Sequence, residues 1–131
     1  NTIKSNVDTL DNKFSNLKNL KLLKIDVEGM ELNVIKGGIS LIKRTNPIIY
    51  LENDRIEKSK DLIEFIFSLN YRIFWHIAPL YNKYNFFNNP NNIFGNISSF
   101  NMICVRNDVP VRMNLPEILN SSEHPLKKNS N

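Results

Sequence analysis

The sequence predicts one α/β domain built on an open sheet, on three observations. The 131 residues are enough for one small domain. Short apolar runs alternate with segments of helical periodicity, in the order strand, helix, strand, helix, strand, long loop, strand. The apolar share is 41% and the charged share 23%, as in ordinary globular proteins, so a core can be buried.

The first three elements precede a proline at position 47. Residues 1–19 are polar and rich in Asn, and we expect a connection with a short helical turn. Residues 20–26 form a short apolar run, which predicts a buried strand of a parallel sheet covered on both faces. Residues 30–44 have helical spacing broken by Gly37 and Gly38, a pair that favours the end of one helix and the start of a second.

The remaining elements follow the same alternation. Residues 48–52 predict a second strand, and residues 59–70 an amphipathic helix with Ser59 as its cap. Residues 71–77 and 100–106 predict the third and fourth strands, with an antiparallel last strand, because no helical pattern separates them. The loop between them, residues 78–99, carries aromatic side chains that we expect to be packed.

The sequence predicts that the chain is divided into two parts. Residues 1–115 are expected to form the α/β domain, and residues 116–131 a polar, disordered tail. No internal repeat is visible.

Composition excludes several classes of protein. The net charge of +4 is scattered along the chain, which is typical of a solvated surface, so we expect no nucleic-acid partner. The single cysteine, Cys104, lies in an apolar run and indicates a buried strand thiol. No signal peptide and no membrane-spanning run is visible, so we expect a cytoplasmic protein with no membrane partner.

Acidic residues end two of the predicted strands. Asp26 and Glu28 follow the first strand, and Glu52 closes the second. Since ligands bind outside the carboxyl ends of strands in open sheets, these carboxylates could hold a divalent cation, orient a hydroxyl or act as a base. Their mutual repulsion predicts at least one shifted pKa.

Structural roles compete with chemical ones at the same turn. Glu28 or Glu31 could instead complement the positive end of the following helix. Gly29 is expected to let the backbone turn sharply from strand to helix.

The other polar candidates are weaker. His76, in an aromatic strand, is more typical of a packed histidine than of a catalyst, and His124 lies in the tail. The long loop could line a substrate pocket or merely cover the sheet edge.

Several segments, in order and spacing, resemble the C-terminal half of FkbM-type methyltransferases, over about residues 7 to 106. They are Thr9-Leu10-Asp11, the block from Leu22 to Glu31, Val34-Ile35-Lys36-Gly37-Gly38, Pro47-Ile48-Ile49 and Leu51-Glu52. Tyr81-Asn82 and Asn85-Phe86-Phe87 are similar to that family's variable loop.

The resemblance implies a partial class I methyltransferase (Rossmann-like) sheet, strands four to seven, with an antiparallel last strand. It also implies S-adenosylmethionine as methyl donor and O-methylation of a sugar or other small-molecule hydroxyl, with a small-molecule acceptor that could be a glycan. Asp26, Glu28 and Glu52 would then lie on the acceptor side. The glycine-rich loop that holds the donor is not found in the sequence, so we expect a fragment that lacks the donor-binding half.

Two other readings stay open. A non-catalytic remnant would act as an interaction or dimerisation module and self-associate through its incomplete sheet. A metal-dependent hydrolase would use Asp26, Glu28 and Glu52 as ligands of a divalent cation.

Overall fold

The computed structural model describes residues 3–127, which form a five-stranded mixed sheet with helices packed on one face. The strands are β1 (Leu22–Ile25), β2 (Ile48–Glu52), β3 (Tyr71–Pro79), β4 (Ser98–Arg106) and β5 (Glu117–Ile118). The helices are α1 (Leu10–Lys13), α2 (Glu31–Lys36), α3 (Ile39–Thr45) and α4 (Ile56–Ser68). No helix within residues 3–127 is long and apolar enough to cross a membrane.

The strand order is β1-β2-β4-β3-β5. β1 and β2 pair in parallel, whereas β4 lies antiparallel between β2 and β3. β1, β2 and β3 therefore run in the same direction, and their carboxyl ends share one edge of the sheet. The alternation of strands and helices and the antiparallel fourth strand are confirmed.

The main core cluster lies on one face of the sheet. Ile25, Leu51 and Met102 are register partners across three strands, and all are buried against helices α2, α3 and α4. The opposite face is open at β1 and the start of β2, where Leu22 is 57% exposed and Ile48 46% exposed, whereas Phe74 and Val105 on β3 and β4 are buried there. The prediction that the first strand is covered on both faces is therefore wrong for this chain, because both crossover helices lie on the same side.

Two glycines shape the helical region, as expected. α2 ends at Gly37 and α3 begins after Gly38, where an added Cβ would meet the Leu10 side chain at 3.0 Å. Asp11 accepts the backbone N–H groups of Ser40 and Leu41 at 3.0 and 2.7 Å. The Asp11 side chain thus provides the N-terminal cap that α3 itself lacks.

The cap predicted at Ser59 is wrong. α4 begins at Ile56, one turn earlier, and Ser59 is a buried residue inside it. Its hydroxyl accepts the side-chain amide of Asn53 at 2.9 Å, so a tertiary hydrogen bond explains this serine.

The end of the described chain differs from the predicted tail. β5 pairs Ile118 with Ile73 of β3, and both residues are buried. His124 is buried as well, so Ile118 and His124 anchor residues 117–127, whose other side chains are mostly exposed. Residues 128–131 of the predicted tail lie outside the described residues.

Cys104 lies in the middle of β4 and is fully buried, which confirms the structural reading of the only cysteine. Burial raises the pKa of its thiol well above the usual range.

Candidate functional site

Three carboxylates meet at the carboxyl edge of the sheet. Oxygen atoms of Asp26 and Glu28, after β1, and of Glu52, at the end of β2, all lie within 4.8 Å of one another. We call these three residues the acidic cluster. The sequence-based expectation that they converge is confirmed, because β1 and β2 are parallel neighbours with Ile25 opposite Leu51.

A tight turn presents Glu28 to the cluster. Glu28 has a φ of 53° and Gly29 a φ of 92°, so two consecutive residues are left-handed. This confirms the turning role of Gly29. The left-handed Glu28 carried no signal in the sequence, since glutamate rarely adopts this conformation.

Glu31 stabilises the same turn from inside. It is buried, and its Oε1 accepts the backbone N–H groups of Val27 at 3.3 Å and Gly29 at 3.0 Å. Both donors lie just before α2, so Glu31 satisfies backbone groups at the helix start and fits the structural reading of this residue.

Two members of the cluster already have cationic partners. Lys24 contacts Asp26 at 2.8 Å, and Arg55 contacts Glu28 at 3.0 Å and Asp54 at 3.5 Å. Most of these side chains are exposed and screened by solvent, so the pairs add little to stability. The main effect of these ion pairs is to fix the positions of the Asp26 and Glu28 carboxylates and to reduce the net negative charge of the cluster.

We did not predict a role for the cations that follow β2. Besides Arg55, Lys58 donates from Nζ to the Gly29 carbonyl oxygen at 2.9 Å. Both residues come from the first turns of α4, so they connect α4 to the strand-to-helix turn after β1. The available signal was the placement of two cations within six residues of a strand-ending acid.

Glu52 differs from the other two carboxylates. Within residues 3–127 it makes no ion pair. Burial raises the pKa of Glu52, and repulsion from Asp54 and then Asp26 raises it further. The expectation of a shifted pKa at this edge is therefore confirmed, and the raised pKa belongs to Glu52.

Glu52→Gln is expected to stabilise the fold above the ordinary carboxyl pKa. A raised folded-state pKa means that the folded protein binds the proton more tightly than the unfolded chain. The wild-type free energy of unfolding should therefore fall as pH rises through the raised pKa, whereas the variant should lack this loss. Urea unfolding at pH 4 and pH 7.5 measures the difference.

Glu57 is an exposed carboxylate on α4, so Glu57→Gln is the matched control. This variant should show no pH-dependent gain in the free energy of unfolding. An equal stability of wild type and Glu52→Gln at both pH values would contradict the burial argument.

His76 lies near the cluster on the open face of the sheet. Its Nδ1 is 3.0 Å from the Tyr50 hydroxyl, and its register partner is Asn101. The ring is half-buried and has a hydrogen-bond partner, so these contacts fit a packed histidine.

The long loop between β3 and β4 begins at the same edge. Contrary to expectation, its apolar side chains are largely exposed, with Phe86 at 91% and Phe87 at 85%. Asparagine side chains stabilise the loop instead. The Asn85 side chain donates to the Asn89 carbonyl oxygen at 2.9 Å and accepts the Asn89 backbone N–H at 3.0 Å. Local side-chain hydrogen bonds therefore hold its shape without burying its aromatic rings.

A shallow cavity of about 350 Å³ opens in this loop. It is lined by Tyr81, Phe87, Phe94 and by Asn82, Asn85, Asn89 and Asn91, with Leu80 and Ile93. Its surface is thus neutral and combines aromatic faces with amide groups.

His124, which we placed in the tail without a function, makes a tertiary contact at this edge. Its Nε2 lies 3.0 Å from the carbonyl oxygen of Asn53, the residue after Glu52. Its ring packs edge-on against Trp75, with centroids 5.1 Å apart. No local pattern signals this contact, since it joins residues 71 positions apart.

Comparison with known proteins gives one match. Residues 1–73 match the model of the methyltransferase FkbM domain, which covers more than half of the chain and includes the whole acidic cluster. The match ends inside β3, so the likeness of the long loop to this family stays a prediction. No curated protein and no solved structure matches the chain.

The matched segment carries the turn at Gly29, the Asp11 cap and the three converging carboxylates. The chain belongs to the FkbM methyltransferase domain family.

Proposed function

We propose that this chain forms the acceptor side of an S-adenosylmethionine-dependent O-methyltransferase, with Asp26, Glu28 and Glu52 at the reacting centre. The observation that carries the proposal is the meeting of these three carboxylates within 4.8 Å at the carboxyl ends of parallel strands, in a chain of a methyltransferase family. This edge is where open α/β sheets bind their ligands.

The acidic cluster suits the sulfonium part of the methyl donor. When bound, S-adenosylmethionine would supply a methyl group from a positively charged sulfonium, and a net-negative cluster suits such a charge. Residues 3–127 include no glycine-rich turn between a strand and a helix to hold a nucleotide. We therefore propose that residues other than those described hold the nucleotide part.

Glu52 fits the role of proton acceptor. In methyl transfer the acceptor oxygen forms a bond to the methyl carbon and loses its hydroxyl proton to a base. Asp26 and Glu28 are held by Lys24 and Arg55, whereas Glu52 has no ion pair in the described part of the chain and a raised pKa. A raised pKa makes an ionised carboxylate a stronger base, so Glu52 suits proton uptake, and Asp26 and Glu28 are left to orient the hydroxyl.

The loop cavity supports a neutral, polyhydroxylated acceptor such as a sugar. Aromatic rings can cover the apolar face of a sugar ring, while asparagine amides offer both donors and acceptors to hydroxyl groups. Residues 80–97 contain no acidic residue and one cation, Lys83, so an ionic acceptor finds few partners there.

The same three carboxylates are the candidate ligands of a divalent cation. Asp26 pairs with Lys24 and Glu28 with Arg55, so a cation bound there would have to displace these two weak surface pairs.

A non-catalytic interaction module is the second candidate. The open sheet face, with Leu22 and Ile48 about half exposed, and the free edge of β1 favour association with another chain.

Calorimetric titration of S-adenosylmethionine separates the two candidates. We expect one-to-one binding by the full gene product, and weaker or no binding by this chain alone. A folded full-length protein that produces no heat with the donor would support the interaction module and contradict the enzyme.

A further inference from the structure

The C-terminal segment, residues 119–127, has a polar sequence but contains a buried histidine. His124 lies against Trp75 of β3 and Phe100 of β4, with ring centroids 5.1 and 6.1 Å away. A surface tail would leave such a ring in water. Its burial implies that the segment is docked at a defined place.

Both ring nitrogens of His124 contact backbone groups. Nδ1 accepts the backbone N–H of Leu126 at 3.1 Å, so the ring proton of the neutral form belongs on Nε2. Nε2 then donates to the carbonyl oxygen of Asn53 at 3.0 Å. The two contacts select one tautomer and one ring orientation.

Asn53 is fixed by its other polar groups as well. Its backbone N–H donates to the Phe100 carbonyl at 2.7 Å. Its side-chain amide donates to the Ser59 hydroxyl at 2.9 Å and lies 3.3 Å from the Met102 sulfur. His124 completes this set, so the end of β2 is tied at once to β4, α4 and the C-terminal segment.

The residues on either side of Asn53 belong to the acidic edge. Glu52 is a member of the acidic cluster, and Asp54 contacts Arg55, which in turn contacts Glu28. A shift of the Asn53 carbonyl would therefore move both neighbouring carboxylates. The positions of Glu52 and Asp54 are thus coupled to the contact between Asn53 and His124, which are 71 residues apart in the chain.

We propose that His124 is a positioning residue and that residues 119–127 act as a clasp that holds the end of β2, and with it Glu52, in place. The clasp rests on the proposed function only in the chemical role given to Glu52. Its contacts are independent of any donor or acceptor.

Three substitutions in the full chain test the clasp. His124→Gln places an amide nitrogen the same number of bonds from the backbone as Nε2, so it can keep the donor to Asn53. His124→Asn reaches only as far as Nδ1, and His124→Phe keeps an aromatic ring with no donor. His76→Phe, at the only other histidine, is the control for loss of an imidazole elsewhere on the sheet.

Amide hydrogen exchange, resolved by NMR, reports the position of β2. We expect His124→Asn and His124→Phe to speed exchange of the Asn53 N–H about fivefold or more, as loss of one hydrogen bond implies. Exchange of the Ile48 N–H, bonded to Lys21 at the far end of the same strand, should be unchanged. His124→Gln should restore protection of Asn53.

Trp75, the only tryptophan, gives a second readout. Opening of the clasp in His124→Asn should shift its emission to longer wavelength, whereas His76→Phe should not. Unchanged Asn53 exchange in folded His124→Asn, or equal acceleration at Asn53 and Ile48, would overturn the proposal. So would a failure of His124→Gln to protect Asn53, or failure of all three variants to fold, which would make the segment part of the core.

Discussion

Gly29→Ala is expected to destabilise the fold by about 2–3 kcal/mol, because φ at this residue is 92°, where side chains with a Cβ are strained. An added Cβ would also meet Lys58 Nζ at 3.0 Å and Arg55 Cγ at 3.4 Å. The substitution should therefore disturb the two cations that hold the turn. Urea unfolding monitored by Trp75 fluorescence measures the loss.

Gly95→Ala is the matched control for this substitution. Gly95 also has a positive φ, 59°, but an added Cβ would meet nothing within 4 Å. We expect a cost of about 1 kcal/mol there, from the left-handed backbone alone. Equal costs at the two glycines would show that crowding at the acidic edge is unimportant.

The acidic cluster was predictable from sequence for a topological reason. Asp26 and Glu52 end consecutive apolar runs, and parallel neighbouring strands necessarily bring such ends to one edge. The convergence followed from the pattern alone, without any knowledge of the loops. The ion pairs of Arg55 did not, because they depend on where α4 begins.

Part of the family resemblance has a structural explanation. Asp11 caps α3, and Leu10 packs where Gly38 leaves no room for a side chain. The segments around Thr9-Leu10-Asp11 and Gly37-Gly38 therefore fit each other as one packing unit. Their presence supports the family without carrying chemistry.

Two errors in the sequence-based predictions, at Ser59 and in the C-terminal segment, have the same cause, which is contact between remote residues. Ser59 was taken for a cap because its bond to Asn53 is invisible in the local pattern. The tail was taken for disorder because β5 and His124 find their partners on β3 and after β2. Polar composition predicts disorder only when no such docking site exists.

The prediction that the aromatic side chains of the long loop are packed was wrong for a different reason. Its rings were expected to be packed because they are large and apolar, yet asparagine side chains fix the loop and leave Phe86 and Phe87 exposed. Such exposure suits a surface that meets a ligand or another molecule.

Glu52→Gln is expected to reduce methyl transfer by about 10²–10⁴-fold, the usual contribution of general acid–base catalysis. Glutamine keeps the size of the side chain but cannot accept the hydroxyl proton. Because the same change should stabilise the fold above the ordinary carboxyl pKa, unfolding cannot account for the loss. Glu57→Gln should retain the wild-type rate.

The rate of transfer of a radiolabelled methyl group from S-adenosylmethionine to a panel of sugar alcohols and glycosides tests the central claim most directly. The full gene product and its Glu52→Gln variant should be compared at saturating donor, with donor affinity measured in parallel. The acidic cluster at the reacting centre predicts that the rate at saturating donor is lowered at least about a hundredfold. A variant that transfers methyl groups at the wild-type rate would contradict it.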